Sequence, residues 1–125
     1  MIIGIGTDIV KVARMEENIN RFGVSFSERI LSPAELNDLS QHKNPANFLA
    51  KRFAAKEALF KALGTGFRGG IALKEVGVDH EASGKPIFIF SDKATVIVQA
   101  RGVQHMHISI ADESEYAIAM VVLES

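Results

Sequence analysis

Lys51-Arg52-Phe53-Ala54-Ala55-Lys56-Glu57-Ala58-Leu59-Phe60-Lys61-Ala62-Leu63-Gly64-Thr65-Gly66 decides the fold. It reads as the second half of a long helix. Upstream, Asn44 is a good N-cap and Pro45 suits the first helical position. Downstream, Gly64 suits the left-handed residue that stops a helix. At about 100° per residue, Ala46, Leu49, Phe53 and Phe60 share an apolar face, widened by Phe48, Leu59 and Leu63. The opposite side is mostly alanine: Ala54, Ala55, Ala58 and Ala62. This pattern predicts a helix packed on more than one side, and therefore a central one.

Four charges sit where a purely structural helix would avoid them. Arg52 and Lys56 project within the apolar arc, and Glu57 and Lys61 lie along its edge, one turn apart. On a surface, Glu57 with Lys61 is a favourable helix pair worth roughly 0.2–0.5 kcal/mol. The bland reading is a solvated ion pair plus two stems that snorkel to water. The sharper one is a buried-edge carboxylate flanked by three cations, beside a Gly-Thr-Gly turn with free backbone N–H groups. That combination suits a metal ion and a polyphosphate.

The chain has 125 residues, which fits one domain, residues 1–125. Its 14 basic and 15 acidic residues nearly cancel, so charge gives no case for nucleic acid or an anionic membrane. The lack of cysteine excludes disulfides, thiolate metal sites and a cysteine nucleophile. The N-terminal run is too short and too quickly polar for a signal peptide, and no stretch approaches a membrane span. A cytoplasmic protein is the expectation.

Ile2 to Val10 alternates as a strand, with Ile3, Ile5, Thr7 and Ile9 on one face. Gly4, Gly6 and Asp8 share the other face, and such glycines mark a close approach by another backbone or a ligand. Taken alone, Asp8 reads equally well as a strand-end cap for the next element. Lys11 to Phe22 reads as a helix, Phe26 to Leu31 as a short helical turn, and Ser32-Pro33-Ala34-Glu35 as a capping-box helix start. Arg14, Arg21 and Arg29 make a basic group here, either solvated surface or a docking site for an acidic partner. Phe67-Arg68-Gly69-Gly70 lacks the lysine and preceding strand of a P-loop. Glu75–His80 and Pro86–Phe90 read as a hairpin, and Ser91 caps a helix from Asp92 to Arg101. His105–Ala111 and Tyr116–Leu123 are strands, with residues 112–115 turning between them. His105 and His107 share a strand face, but no third zinc ligand accompanies them, so plain core or surface histidines are the better reading. This order predicts an α+β fold: a small, mainly antiparallel sheet against a long central helix. The very apolar last strand hints at burial against another subunit.

Three segments together resemble the holo-[acyl-carrier-protein] synthases, the short single-domain 4'-phosphopantetheinyl transferases. They are Gly4-Ile5-Gly6-Thr7-Asp8-Ile9-Val10, the run from Phe53 to Gly66, and His107-Ile108-Ser109-Ile110-Ala111-Asp112. Gly84-Lys85-Pro86 before a strand adds to the likeness. The resemblance implies that fold and a magnesium-dependent reaction. Coenzyme A would give its 4'-phosphopantetheine to a serine of apo-acyl carrier protein, in service of fatty acid biosynthesis, and 3',5'-ADP would leave. Asp8 and Glu57 match the Mg²⁺ ligands and, with Lys61 near the pyrophosphate, the catalytic set. Arg52, Lys56, Lys61, Gly64, Thr65, Gly66 and Pro86 form the expected coenzyme-binding set. Arg14, Arg21 and Arg29 lie on the segment that matches the carrier-protein docking surface. The family is commonly a homotrimer with active sites at subunit clefts. Some relatives carry a histidine where this chain has Asp112, so Asp112 receives no role here. Two competing functions are a non-catalytic, oligomeric coenzyme A or nucleotide-binding module and a magnesium-dependent phosphohydrolase.

Overall fold

The structure, a computed structural model, describes residues 1–64 and 68–125. Strand β1 (Ile2–Lys11) leads into helices α1 (Val12–Phe22), α2 (Val24–Ile30), α3 (Pro33–Ser40) and α4 (Pro45–Leu63). Two single 3-10 turns come next, at Arg68–Gly70 and Leu73–Glu75. Then come β2 (Val76–His80), β3 (Pro86–Phe90), α5 (Asp92–Ala100), β4 (His105–Asp112) and β5 (Tyr116–Glu124). The strands form an antiparallel sheet in the order β1-β5-β4 and a separate antiparallel hairpin, β2-β3. The α+β reading therefore holds, with the hairpin standing apart from the main sheet. Among the described residues, no helix is long and apolar enough to cross a membrane.

Helix α4 is the centre, as its two apolar sides require. Asn44 accepts from the Asn47 N–H as N-cap, and Gly64 closes the helix at φ 73°. Leu49, Ala54, Ala55, Ala58 and Leu59 are wholly buried. The alanine side carries the sheet. A Cβ placed on Gly4 would lie 2.0 Å from the Ala62 carbonyl oxygen, and one on Gly6 only 2.1 Å from that of Ala58. The strand thus rests backbone to backbone on the helix, and only glycine permits that approach. Gly6→Ala is expected to destabilise the fold by about 1–3 kcal/mol or more, because backbone rather than a flexible side chain must move. Urea unfolding would measure it, and an unchanged midpoint would contradict this packing.

The segment before α4 is more helical than the sequence suggested. Gly23, at φ 63°, turns the chain straight from α1 into α2, which begins at Val24 rather than Phe26. The capping box of α3 is present: Ser32 Oγ accepts from the Glu35 N–H, and Glu35 Oε1 accepts from the Ser32 N–H. At the other end, the α5 helix stops at Ala100, and Arg101 instead donates to the Leu63 carbonyl at 3.3 Å.

Candidate active site

Strand β1 and helix α4 meet at Asp8. Being two residues beyond Gly6 on the same face, Asp8 follows the glycines onto α4. Its Oδ1 lies 3.0 Å from Lys61 Nζ, which also donates to the Thr7 carbonyl at 2.9 Å. The Asp8 side chain is 17% exposed and that of Lys61 56%, so the pair opens to solvent from the lysine side. Glu57 is half-buried one turn before Lys61 on the same helix. Asp8 and Lys61, far apart in sequence, thus meet at one strand–helix junction, with Glu57 one turn back along the same helix.

Oxygen donors of this kind suit Mg²⁺, which takes one or two carboxylates and completes its shell with phosphate and water. Among the described residues, no three His, Cys, Asp or Glu side chains gather to hold a metal, which disfavours an all-protein cage. The histidines of β4 are placed differently from a zinc site. His107 Nε2 lies 2.5 Å from Glu124 Oε1, and this hydrogen bond holds the Glu124 carboxyl below its usual range.

Arg52 and Lys56 both reach the Glu35 carboxylate. Lys56 does not snorkel: it is 0% exposed. Its ammonium donates to Glu35 Oε1 at 2.6 Å and to the carbonyls of Ile30 at 2.6 Å and Leu73 at 3.3 Å. Those three acceptors match the three N–H bonds of an ammonium, so direct contact with a coenzyme does not fit Lys56. Burial pushes the Lys56 pKa down, and the charge of Glu35 only partly opposes this. For Glu35 itself, burial pushes up, but the charge and hydrogen bond of Lys56 and the N–H groups of Ser32 and Val78 bring it below its ordinary 4.5. Its charge therefore contributes stability that is complete above about pH 4.5 and is lost as pH falls through the lower folded value.

Arg52 is buried too, its side chain 10% exposed, and donates through Nη1 to Glu35 Oε2 at 3.1 Å and to the Val78 carbonyl. Its guanidinium carbon stands 4.2 Å over the Phe48 ring. Unlike Lys56, it also lines a cleft, of about 320 Å³, with Lys51, His42, His80, Pro86 and Asp112 among the walls. Pro86 is thereby brought into the same cleft as Arg52. Asp112, the last residue of β4, accepts from Asn47 Nδ2 at 2.9 Å on the cleft wall. Sequence reasoning passed over His42, Lys51 and His80, and no periodic or motif signal joins them. Along α4, Arg52 and Lys61 are separated by about 13 Å of helix rise.

The Gly64 N–H donates to the Lys61 carbonyl at 3.1 Å, so that donor is engaged within the helix end. Thr65 and Gly66 lie outside the described residues.

A second, larger groove of about 960 Å³ runs beside α2 and α4, walled by Phe22, Phe26, Ile30, Phe53 and Leu73, with Arg29 and Lys74 also lining it. The guanidinium carbons of Arg21 and Arg29 lie 5.1 and 6.0 Å from the centre of the Phe22 ring. Arg14 is exposed on α1, seven residues before Arg21 and so on nearly the same helix face. The three arginines are thus brought to one side of the molecule, next to an apolar groove that the sequence did not announce.

The family model of the 4'-phosphopantetheinyl transferase superfamily matches residues 4–121. The chain is 50% identical to the holo-[acyl-carrier-protein] synthase of Hamiltonella defensa, over 98% of each chain. The crystal structure of the holo-[acyl-carrier-protein] synthase from Neisseria meningitidis matches with a TM-score of 0.95 at 43% identity, covering 100% of both chains. That of the Bacillus anthracis synthase, in complex with CoA (3',5'-ADP), matches with a TM-score of 0.83 at 38% identity, covering 100% of this chain and 98% of that one. The chain belongs to the holo-[acyl-carrier-protein] synthase family of the 4'-phosphopantetheinyl transferase superfamily.

Proposed function

We propose that this protein transfers the 4'-phosphopantetheine of coenzyme A to a serine of apo-acyl carrier protein and releases 3',5'-ADP. The observation that carries the chemistry is the junction at which β1 brings Asp8 to Lys61, one helical turn from Glu57. The serine oxygen attacks the phosphorus that bears pantetheine, the bond to the leaving phosphate oxygen breaks, and the serine proton passes to a base. Glu57, directly or through a water, is the base we assign. Lys61 offsets the negative charge that develops on the leaving phosphate. Asp8 and Glu57 would hold Mg²⁺, which when bound supplies charge neutralisation at the pyrophosphate. No residue of the site needs to form a covalent intermediate.

The cleft around Arg52 suits the phosphorylated nucleotide of coenzyme A. Cationic Arg52 and Lys51 answer phosphate, and Phe48 and Pro86 offer apolar walls to a base. The distance along α4 between this cleft and Lys61 suits active sites at subunit boundaries, where one copy supplies Asp8, Glu57 and Lys61 and its neighbour the cleft. A homotrimer would provide three such boundaries.

Incubation of the protein with coenzyme A and apo-acyl carrier protein, read by mass spectrometry, tests the proposal. Gain of phosphopantetheine on the carrier serine is the expected result. Release of 3',5'-ADP without that gain would indicate a hydrolase, and binding without turnover a binding module.

The carrier protein docks on Arg14, Arg21, Arg29 and the Phe22 groove. A strongly acidic, amphipathic helix suits this surface, with its charges on the arginines and an apolar side chain in the groove. Arg14→Glu is expected to raise KM for the carrier protein about tenfold or more at low salt, because like charges now face each other across the contact. Added salt should shrink the difference between the variant and the parent protein. The KM for coenzyme A should stay unchanged. An unchanged KM for the carrier protein would remove Arg14 from the docking surface.

A further inference from the structure

Glu35 binds two residues of the cleft wall, Arg52 and Val78, and both of its oxygens are doubly occupied. Oε1 accepts from the Ser32 N–H at 2.9 Å and from Lys56 Nζ at 2.6 Å. Oε2 accepts from Arg52 Nη1 at 3.1 Å and from the Val78 N–H at 3.0 Å. One buried carboxylate thereby joins α3, α4 and β2. The capping box fixes Glu35 at the start of α3, and Phe48 and the Val78 carbonyl hold the Arg52 guanidinium from its other sides. An arginine left in water would sample many rotamers, and ordering it when a ligand binds would cost affinity.

We propose that Glu35 is a positioning residue of the coenzyme site, which fixes the Arg52 guanidinium at the cleft wall before the ligand arrives. This rests on the reading of the Arg52 cleft as the coenzyme site. Glu35 touches no substrate and acts through Arg52. Its second partner, Lys56, donates also to the carbonyls of Ile30 and Leu73, two residues that line the carrier-protein groove. The two oxygens therefore hold cations that serve two different cavities.

That division makes Glu35→Gln informative. An amide keeps one accepting oxygen and exchanges the other for a donor. The fully buried Lys56 ammonium has the stronger claim on the remaining oxygen. The amide nitrogen then faces Arg52 and the Val78 N–H, donor against donor, and the guanidinium is released.

The test measures coenzyme A affinity by titration calorimetry, with steady-state kinetics, on the full chain. In Glu35→Gln, Kd and KM for coenzyme A should rise about tenfold, the size expected when an orienting partner is lost. The kcat and the KM for carrier protein should stay within about twofold, which general loosening of the core would not spare. Arg52→Met should weaken coenzyme A as much, and the double variant should be no weaker than Arg52→Met alone. If Arg52→Met leaves coenzyme A affinity unchanged, the coenzyme reading of the cleft fails. If Arg52→Met weakens binding but Glu35→Gln does not, or the two effects add, the positioning role of Glu35 is wrong while the cleft reading stands. Should Glu35→Gln fail to fold, NMR of the parent protein without ligand decides. A single, immobile Arg52 guanidinium signal is expected, and a freely rotating one overturns the proposal.

Discussion

Asp8→Asn is expected to cut phosphopantetheine transfer by about 10²–10³-fold or more, while the protein remains folded. The asparagine keeps the size of Asp8 and an oxygen that can accept from Lys61, and leaves the pairing of this strand position with Ala119 intact. What it removes is one negative charge at the β1–α4 junction. Two carboxylates brought to one junction repel unless cations share it. Lys61 is one such cation, and Mg²⁺ would be the other. Glu57→Gln should be at least as damaging, and more so if Glu57 also takes the serine proton. The metal has its own readout: coenzyme A should bind more weakly to the parent protein in EDTA than in Mg²⁺, and Asp8→Asn should erase most of that difference. Transfer at a near-parental rate by a folded Asp8→Asn, Glu57→Gln double variant would remove the metal assignment, and with it the proposed chemistry.

Much of this junction was legible because its parts obey local rules. The glycine alternation in β1 signalled a close backbone approach, and the alanine stripe of α4 supplied the surface approached. Both are period signals, of two and of 3.6 residues, that survive without any knowledge of the fold. The α3 capping box was equally local. The second task of its glutamate was not. The sequence shows Glu35 as an N3 residue, whereas its buried partners Arg52 and Lys56 lie 17 and 21 residues away. Helical spacing explains why those two cations point the same way, but not which carboxylate meets them. Spacing alone therefore points both at a ligand, whereas in the structure Arg52 lines a cleft and Lys56 is engaged by Glu35 and two carbonyls. The cleft and the groove were illegible for the same reason. His42, His80 and Asp112 come from three different parts of the chain, and Phe22 and Leu73 from two. Only tertiary packing joins them.

Ile118→Arg is expected to turn a trimer into a monomer and to abolish most of the transfer activity with it. The sheet has two faces of very different fate. The inner face, with Ala117, Ala119, Val121 and Leu123 of β5, is buried against α4. The outer face presents Ile3, Ile5 and Ile9 of β1 beside Tyr116, Ile118 and Met120 of β5, and Ile5 is 62% exposed and Ile9 61%. A run of large apolar side chains across two adjacent strands is a surface that seeks cover. Position 118 lies on the central strand of the sheet, paired with Ile9 on one side and Ala111 on the other. An arginine there would have to be buried without a partner when copies assemble, a cost of several kcal/mol per ion. In a lone protomer it would simply face water, so the fold should persist and circular dichroism should be unchanged. Light scattering at micromolar concentration should give three times the chain mass for the parent protein and one chain mass for the variant. If each active site takes Asp8, Glu57 and Lys61 from one copy and the Arg52 cleft from the next, dissociation separates the two halves, and the variant should lose coenzyme A affinity as well as transfer. A monomeric parent protein would end the trimer proposal. A monomeric variant with full activity would instead show that a single copy holds the whole site.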